Sequence, residues 1–249
     1  MAVAEVMNDS AHKARFDNLN SRVKDVWNDI FNTSKMVSAI RDGVVDPRLY
    51  ALYMIETYHY TSHNARNQAL VGVQAKGIHP NYMKFCFHHA YEETGHENLA
   101  LADVKSLGLD IEPSSLPKPL PATEVLIAYL YWVASNGNPL QRLGYSFWAE
   151  SSYEYINPLV DKIRSSLNLD DSQLSFFIAH SEIDSKHAEE VARIMVRHAR
   201  TDEDWRDIEQ VMVTSLKLTG HVLDDVFETY EAVVSGTCAD YPFLDRLAS

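Results

Sequence analysis

Residues 180–187 read HSEIDSKH and place His180, Asp184 and His187 at steps of four and three residues. At 100° per residue, these steps put the three side chains within about 60° of one another on one face of an α-helix. Apolar residues lie one turn before this face and one to two turns after it, so we expect the face to border the protein core. Two imidazoles and a carboxylate on one face suit a transition metal, whereas a single histidine there is more often a hydrogen-bonded structural residue.

The same helical period continues along nearly the whole chain. No short segment alternates cleanly enough to predict a strand, so the expected fold class is all-α. Residues 106–124 contain four prolines and form the one clear loop. Because candidate ligands lie on both sides of this loop, we interpret residues 1–249 as a single domain. Helices are predicted over residues 11–32, 34–41, 47–75, 81–107, 122–135, 139–167, 171–198 and 201–234, with a kink or division at Pro158.

Composition narrows the class of function. The 249 residues carry a net charge of −13, and no basic stripe is present, so nucleic acids and anionic membrane surfaces are not expected partners. No run of 18 apolar residues predicts a membrane span, and the N-terminus does not resemble a signal peptide. Cys86 and Cys238 lie far apart, which argues against a disulfide framework. A cytoplasmic location is therefore expected.

A second motif lies in HHAYEETGHENLA, residues 88–100. Glu93 and His96 form an E-x-x-H pair, the unit that helical-bundle metal proteins with bridging carboxylates use. Glu92 and His89 lie on nearby positions of the same helix and compete with Glu93. The pair is short and common, and by itself it more often lies on a solvated helix face.

A third candidate lies in FWAESSYEYI, residues 147–156. Glu150 is flanked by aromatic and small residues, and a buried acid there has to be paired, protonated or bound to a metal. We expect Glu154, one turn later, to face water.

Taken together, three predicted helices offer three imidazoles and three carboxylates. One metal ion needs fewer ligands, whereas two ions bridged by a carboxylate would use all six. Zinc is less suited, because neither cysteine lies in a C-x-x-C motif. The candidate metal ligands are Glu93, His96, Glu150, His180, Asp184 and His187.

The order and spacing of these motifs resemble a known family. E-x-x-H, a Glu about 54 residues later, and H-x-x-x-D-x-x-H about 30 residues after that are similar to the haem-oxygenase-like diiron oxidases and oxygenases. Members include a fatty-acid decarboxylase that makes 1-alkenes and the chlamydial death-domain-associating protein, and the wider fold is thiaminase II/PqqC-like. The resemblance covers residues 45–230. The positions that match the family's ligands are His96, Glu150, His180, Asp184 and His187.

The resemblance implies a seven-helix bundle that holds two Fe(II) ions, or manganese, and takes O2 as co-substrate. Glu93 fits members with E-x-x-H, while other members place the acid where this chain has His89. One ion would take Glu93, His96 and one later histidine, and the other would take Glu150, Asp184 and the remaining histidine. The implied reaction is the oxidation of a small carboxylate- or amine-bearing metabolite by N-oxygenation, C–C cleavage or decarboxylation.

Two other readings of the same fold stay open. One is a metal-free enzyme of the thiaminase II type, for which Cys86 is the candidate nucleophile. The other is a binding or regulatory protein without enzymatic activity. Dimers are common in this fold, so a homodimer is one expectation for its assembly. Candidates for lining the cavity, named from helical position only, are Tyr60, Tyr91, Phe147 and Tyr153.

Overall fold

The computed structural model describes residues 10–74 and 79–248, although the side chains of residues 181–185 lie outside this description. The described residues form eleven α-helices and no strand, which confirms the predicted all-α class. Short 3-10 helices lie at Pro113–Ser115, Pro139–Arg142, Asp171–Gln173 and Pro242–Leu247. In chain order the α-helices are α1 (Ser10–Thr33), α2 (Lys35–Arg41), α3 (Pro47–Thr61), α4 (Asn64–Val73), α5 (Pro80–Glu92), α6 (Glu97–Ser106), α7 (Pro121–Ser135), α8 (Leu143–Ala149), α9 (Tyr153–Leu167), α10 (Ser175–His198) and α11 (Asp202–Val234).

Helices α1, α2, α7 and α11 match their predicted ranges to within one residue at each end. Each of three other predicted helices is divided in two. Residues 47–75 form α3 and α4, residues 81–107 form α5 and α6, and residues 139–167 form α8 and α9. When each pair is taken as one divided helix and the seven-residue α2 is set aside, seven long helices remain. No helix in the described part of the chain is both long and apolar enough to cross a membrane.

The predicted division at Pro158 was wrong, because Pro158 lies inside α9 without dividing it. The helix is interrupted at residues 150–152 instead. There the hydroxyl groups of Ser151 and Ser152 donate hydrogen bonds of 2.6 Å to the carbonyls of Phe147 and Trp148. Such bonds compete with the regular helical pattern, which favours a turn at this point.

The longest helix, α11, packs against α1, α3, α7 and α8 and forms the centre of the bundle. The indole Nε1 of Trp148 donates a hydrogen bond of 2.8 Å to the Ser215 hydroxyl and ties α8 to α11. The two backbones approach closely at Gly144. A Cβ atom at Gly144 would collide with the Ile208 carbonyl oxygen and lie 2.7 Å from the Met212 nitrogen. Only glycine therefore allows α8 to lie at this depth.

Gly144→Ala should destabilise the protein strongly, because the collision is with backbone atoms that no change of rotamer can move. We expect the free energy of unfolding to fall by more than about 3 kcal/mol in chemical denaturation. Gly236→Ala is the control, since Gly236 has a φ of +73° and no neighbouring atom within 4 Å of its Cβ position. Its cost is the backbone strain alone, about 1 kcal/mol. Equal losses in the two variants would contradict this account of the α8–α11 contact.

Glu56 on α3 is fully buried, and its Oε2 accepts a hydrogen bond of 3.0 Å from the Leu120 backbone at the start of α7. Burial raises the pKa of this carboxyl group to about 7, although contacts with Thr123 and the Leu120 backbone partly offset the increase. The unfolded chain would release the same proton near pH 4.5. The stability that Glu56 contributes is therefore complete below pH 4.5 and is lost as the pH rises to about 7.

Glu56→Gln should remove this dependence on pH, because the amide keeps an acceptor for Leu120 and carries no titrating proton. We expect the melting temperature of the variant, relative to the wild type, to be several degrees higher at pH 8 than at pH 5. The exposed Glu154→Gln variant, measured in parallel, should show no such change. A difference between Glu56→Gln and the wild type that is the same at both pH values would refute the assignment.

Candidate metal centre

The turn between α5 and α6 positions the E-x-x-H pair. Helix α5 ends at Glu92, Glu93 occupies its C-terminal cap, and Gly95 turns the chain with a φ of +99°. Glu97 stabilises the turn, because its Oε2 accepts a hydrogen bond of 3.0 Å from the Gly95 nitrogen. His96 then comes back beside Glu93, with its Nδ1 lying 3.7 Å from Glu93 Oε1.

Glu150 occupies the equivalent place at the C-terminal cap of α8. Its side chain is only 10% exposed and lies between two imidazoles. Glu150 Oε1 lies 3.2 Å from His89 Nε2, and Glu150 Oε2 lies 3.3 Å from His187 Nδ1. Burial alone would raise the pKa of Glu150, but the contacts with His187 and His89 outweigh it and lower this pKa to about 2. The same contact with Glu150 raises the pKa of His187.

Helix α10 brings His180 and His187, the two histidines of HSEIDSKH, close to Glu93 and Glu150. Its first turn is held by Asp103 of α6, which accepts hydrogen bonds from the backbone nitrogens of Ser175 (2.8 Å) and Phe176 (3.1 Å). The Phe176 carbonyl in turn accepts a hydrogen bond of 2.7 Å from His180 Nδ1. Because a carbonyl can only accept, this bond fixes the proton on Nδ1 and leaves Nε2 free to bind a metal.

Three groups of candidate ligands occur among the described residues, and Glu93 belongs to two of them. The third group consists of His88, Glu92 and Glu190 and shares no residue with the other two. Within each group one ligating atom per residue lies within 4.8 Å of every other. The first group takes its residues from α5, from the ends of α5 and α8, and from α10. The second takes its residues from the turn after α5 and from α10. The members are His89, Glu93, Glu150 and His187 in the first group, and Glu93, His96 and His180 in the second.

The structure thus brings together five of the six residues that the sequence predicted as ligands. The side chain of the sixth, Asp184, lies outside the described residues. His89, which the sequence left as an alternative to Glu93, joins Glu93 in the same group. His96 and Glu93 lie in one group with a single later histidine, which is His180.

Glu92 lies on the outer side of the cluster. Its Oε2 is 3.4 Å from His187 Nε2, while His187 Nδ1 faces Glu93 and Glu150. Glu92 is also 3.6 Å from Lys186 Nζ, and its other neighbours are the exposed His88 and the half-buried Glu190. Glu92 therefore contacts the outward nitrogen of His187 and does not replace Glu93.

The side chains present fit a bound metal. The Nδ1 atoms of His89, His96 and His187 and the Nε2 atom of His89 are buried without a hydrogen-bond partner among the described residues. They nevertheless lie in a cluster where histidine nitrogens and carboxylate oxygens are separated by 3.2 to 3.9 Å. Two ligands that share an ion, each about 2.1 Å from it, are separated by roughly 3 Å or slightly more. A metal ion would satisfy these nitrogens where hydrogen bonds do not.

A cavity of about 100 Å³ adjoins the cluster, and Glu93, Glu150 and His180 form part of its wall. Tyr60 and Tyr153 line it, as their helical positions predicted. The other two predicted lining residues are elsewhere. Tyr91 is 80% exposed because the end of α5 turns it to solvent, and Phe147 packs into the core against Phe16.

Comparison with known proteins identifies the family and the fold. Residues 51–220 match a family described as iron-containing redox enzymes, and the chain belongs to that family. The fold is haem-oxygenase-like, which confirms the resemblance inferred from the motifs. No curated protein matches the chain.

Solved structures extend the comparison. A domain of unknown function with a haem oxygenase-like fold from Shewanella denitrificans is 49% identical, with a TM-score of 0.88 over 90% of this chain and 97% of that chain. A TenA homologue from P. horikoshii is 17% identical, with a TM-score of 0.69 over 86% of this chain and 98% of that one. A TenA homologue from Pyrococcus furiosus is 14% identical, with a TM-score of 0.67 over 85% and 99% of the two chains. The two TenA homologues show the fold alone.

Asp103→Asn should loosen the start of α10, because an amide NH2 cannot accept the hydrogen bond that Phe176 donates. We expect the free energy of unfolding to fall by about 1–3 kcal/mol in chemical denaturation of the metal-free protein. The exposed Asp110→Asn variant is the control and should be neutral. An unchanged stability of Asp103→Asn would mean that Asp103 does not hold the first turn of α10.

Proposed function

We propose that the protein is a non-haem diiron oxidoreductase that uses O2 to oxidise a small organic substrate. The observation that carries this proposal is that Glu93 belongs to two adjoining groups of histidine and carboxylate ligands. A carboxylate shared by two groups is what a pair of bridged ions requires, and helical bundles build dinuclear iron centres from such residues. Membership of a family of iron-containing redox enzymes favours iron, although manganese accepts the same donor atoms.

In this proposal Glu93 would serve both ions, because it belongs to both groups. His96 and His180 would hold one ion, while His89, Glu150 and His187 would hold the other. The sequence motif adds Asp184 as a further ligand. Bound iron would supply the electron-transfer and O2 chemistry that no side chain of the protein can provide.

The roles of the surrounding residues follow from their contacts. The Phe176 carbonyl keeps the proton of His180 on Nδ1, and Glu92 faces the Nε2 atom of His187, so each imidazole offers its other nitrogen to the centre. Tyr60, Trp148 and Phe177 line the adjoining cavity and make part of its wall aromatic. A cavity of about 100 Å³ suits a small metabolite, and N-oxygenation, C–C cleavage and decarboxylation are the reactions we propose to test.

A metal-free thiaminase-II-like activity is the alternative enzyme for this fold. Cys86 is the candidate nucleophile, but it is fully buried and lies outside the lining of the cavity. Burial raises the pKa of the Cys86 thiol to about 11, so little reactive thiolate would form at neutral pH. These observations favour the metal enzyme. Turnover of thiamin fragments by the metal-free protein would reverse the preference.

The test is anaerobic loading with Fe(II), followed by metal counting and exposure to O2. We expect two iron ions per chain in the wild type and consumption of O2 that depends on the iron. Glu93→Gln should lose at least one ion per chain, because the neutral amide bridges poorly and both positions depend on it. Glu154→Gln, a variant of an exposed glutamate one turn after Glu150, should bind iron as the wild type does.

Glu92→Gln separates the two neighbouring acids. It should keep both ions, because Glu92 contacts only the outward nitrogen of His187 within the cluster. Loss of iron in Glu92→Gln but not in Glu93→Gln would mean that Glu92, and not Glu93, is the shared ligand. Failure of the wild type to bind iron at all would overturn the proposed function.

A further inference from the structure

Arg142 is an unusual wall residue of the cavity beside the metal centre. It lies in the 3-10 helix that leads into α8, and it is only 3% exposed. The cavity that it lines is the same one that Glu93 and Glu150 line. A full positive charge is therefore buried next to the place where we propose that substrate is oxidised.

The side chains that hydrogen-bond to Arg142 are neutral. Its Nε donates a hydrogen bond of 2.8 Å to Asn67 Oδ1, and its Nη1 donates one of 2.9 Å to Ser146 Oγ. The guanidinium carbon lies 4.4 Å from the centre of the Tyr145 ring. The negative charge of Glu150 acts on Arg142 and raises its pKa against the larger effect of burial, but this contact is not a direct ion pair among the described side chains.

An arrangement of this kind is incomplete for a buried arginine. Removing a charge from water is costly unless an opposite charge accompanies it. Arginine cannot avoid the cost by releasing its proton, even though burial lowers the pKa of Arg142. Its planar group presents paired N–H donors that match the two oxygens of a carboxylate. Glu150 supplies Arg142 with negative charge at a distance and is itself held by His89 and His187, so a carboxylate paired directly with the guanidinium is what the described side chains do not provide.

The position of the guanidinium relates this anion to the metal centre. Ser146, which accepts the Nη1 hydrogen bond, lies one helical turn before Glu150. The serine that binds Nη1 therefore lies about one turn, or roughly 5 Å along α8, before Glu150. An anion bound at Arg142 would lie in the cavity that Glu150 also lines.

We propose that Arg142 binds the carboxylate of the substrate and so holds the rest of the molecule against the metal centre. This inference rests on the proposed function for the reaction, but binding of the carboxylate can be measured without any metal. It selects carboxylates over amines as the substrate class, because an ammonium group would add a second buried cation beside the first. Arg142 is in this view a specificity-determining residue.

The test is calorimetric titration of the full-length protein, both metal-free and loaded anaerobically with Fe(II). The probes are hexanoate, benzoate and 3-phenylpropanoate, each compared with its neutral primary amide, together with inorganic phosphate. We expect at least one carboxylate to bind the wild type about tenfold or more tightly than its amide. Arg142→Gln should abolish this preference and Arg142→Lys should keep part of it. The exposed Arg193→Gln variant, which changes the net charge equally, should keep all of it.

A second variant covers the outcome in which Arg142→Gln does not fold. Asn67→Asp keeps Arg142 and turns the acceptor of its Nε hydrogen bond, which does not line the cavity, into a competing carboxylate, so the preference for the carboxylate over the amide should fall while binding of the amide persists. If Arg142 were only structural, Asn67→Asp would leave that preference unchanged. An equal preference in Arg142→Gln and the wild type, no preference in the wild type, or tighter binding of phosphate than of every carboxylate would each overturn the inference.

The two proposals fail separately. If the protein binds two iron ions but shows no carboxylate preference that depends on Arg142, only the role of Arg142 is wrong. If the metal-free protein prefers carboxylates through Arg142 but takes up no iron, the diiron function is wrong and the anion site remains.

Discussion

Burying carboxylates inside an apolar bundle of helices requires positive charge close to them, and the middle of this protein is organised around that requirement. Glu93 and Glu150 are 13% and 10% exposed, and each contacts imidazole nitrogens from a different helix. Without such partners the cost of desolvating two acids would exceed what the surrounding packing contributes. The imidazoles offset part of the cost. A pair of metal cations would offset more of it and would also satisfy the buried nitrogens that lack hydrogen bonds.

The helix breaks make this concentration of charge possible. Glu93 and Glu150 are the C-terminal cap residues of α5 and α8. The C-terminal end of a helix carries partial negative charge, so an acid there is unfavourable unless a cation lies nearby. Two helix ends and two carboxylates therefore converge on one point that favours cations. The glycine and serine residues at the breaks allow the chain to turn, and the close contact at Gly144 fixes the depth at which α8 delivers Glu150.

The wall of the cavity contains acids and histidines that would bind cations, and it also contains the positively charged Arg142. Arg142 donates hydrogen bonds only to neutral side chains, whereas the acids of the cluster already contact histidines. A substrate that spans the two regions would meet the candidate metal centre at one end and a guanidinium at the other. Aromatic side chains such as Tyr145 and Trp148 line the same cavity.

The sequence by itself determined the class of fold and most of the candidate ligands. The period of apolar residues predicts helices, and the spacing of His180 and His187 places them on one face, because both depend only on the local geometry of a helix. Gly95 and the two serines after Glu150 were present as local indications of the breaks, but the long helical period outweighed them in the prediction. Tertiary structure alone decided that His89 joins Glu93 and that Glu92 faces outward. Which of these neighbours turns inward depends on the rotation of α5 against α8 and α10, and packing between helices sets that rotation. Packing between helices also decided that Arg142 is buried. Arginine is usually exposed, and only the assembled bundle shows that this one is buried beside the candidate metal centre, with hydrogen bonds to neutral side chains alone.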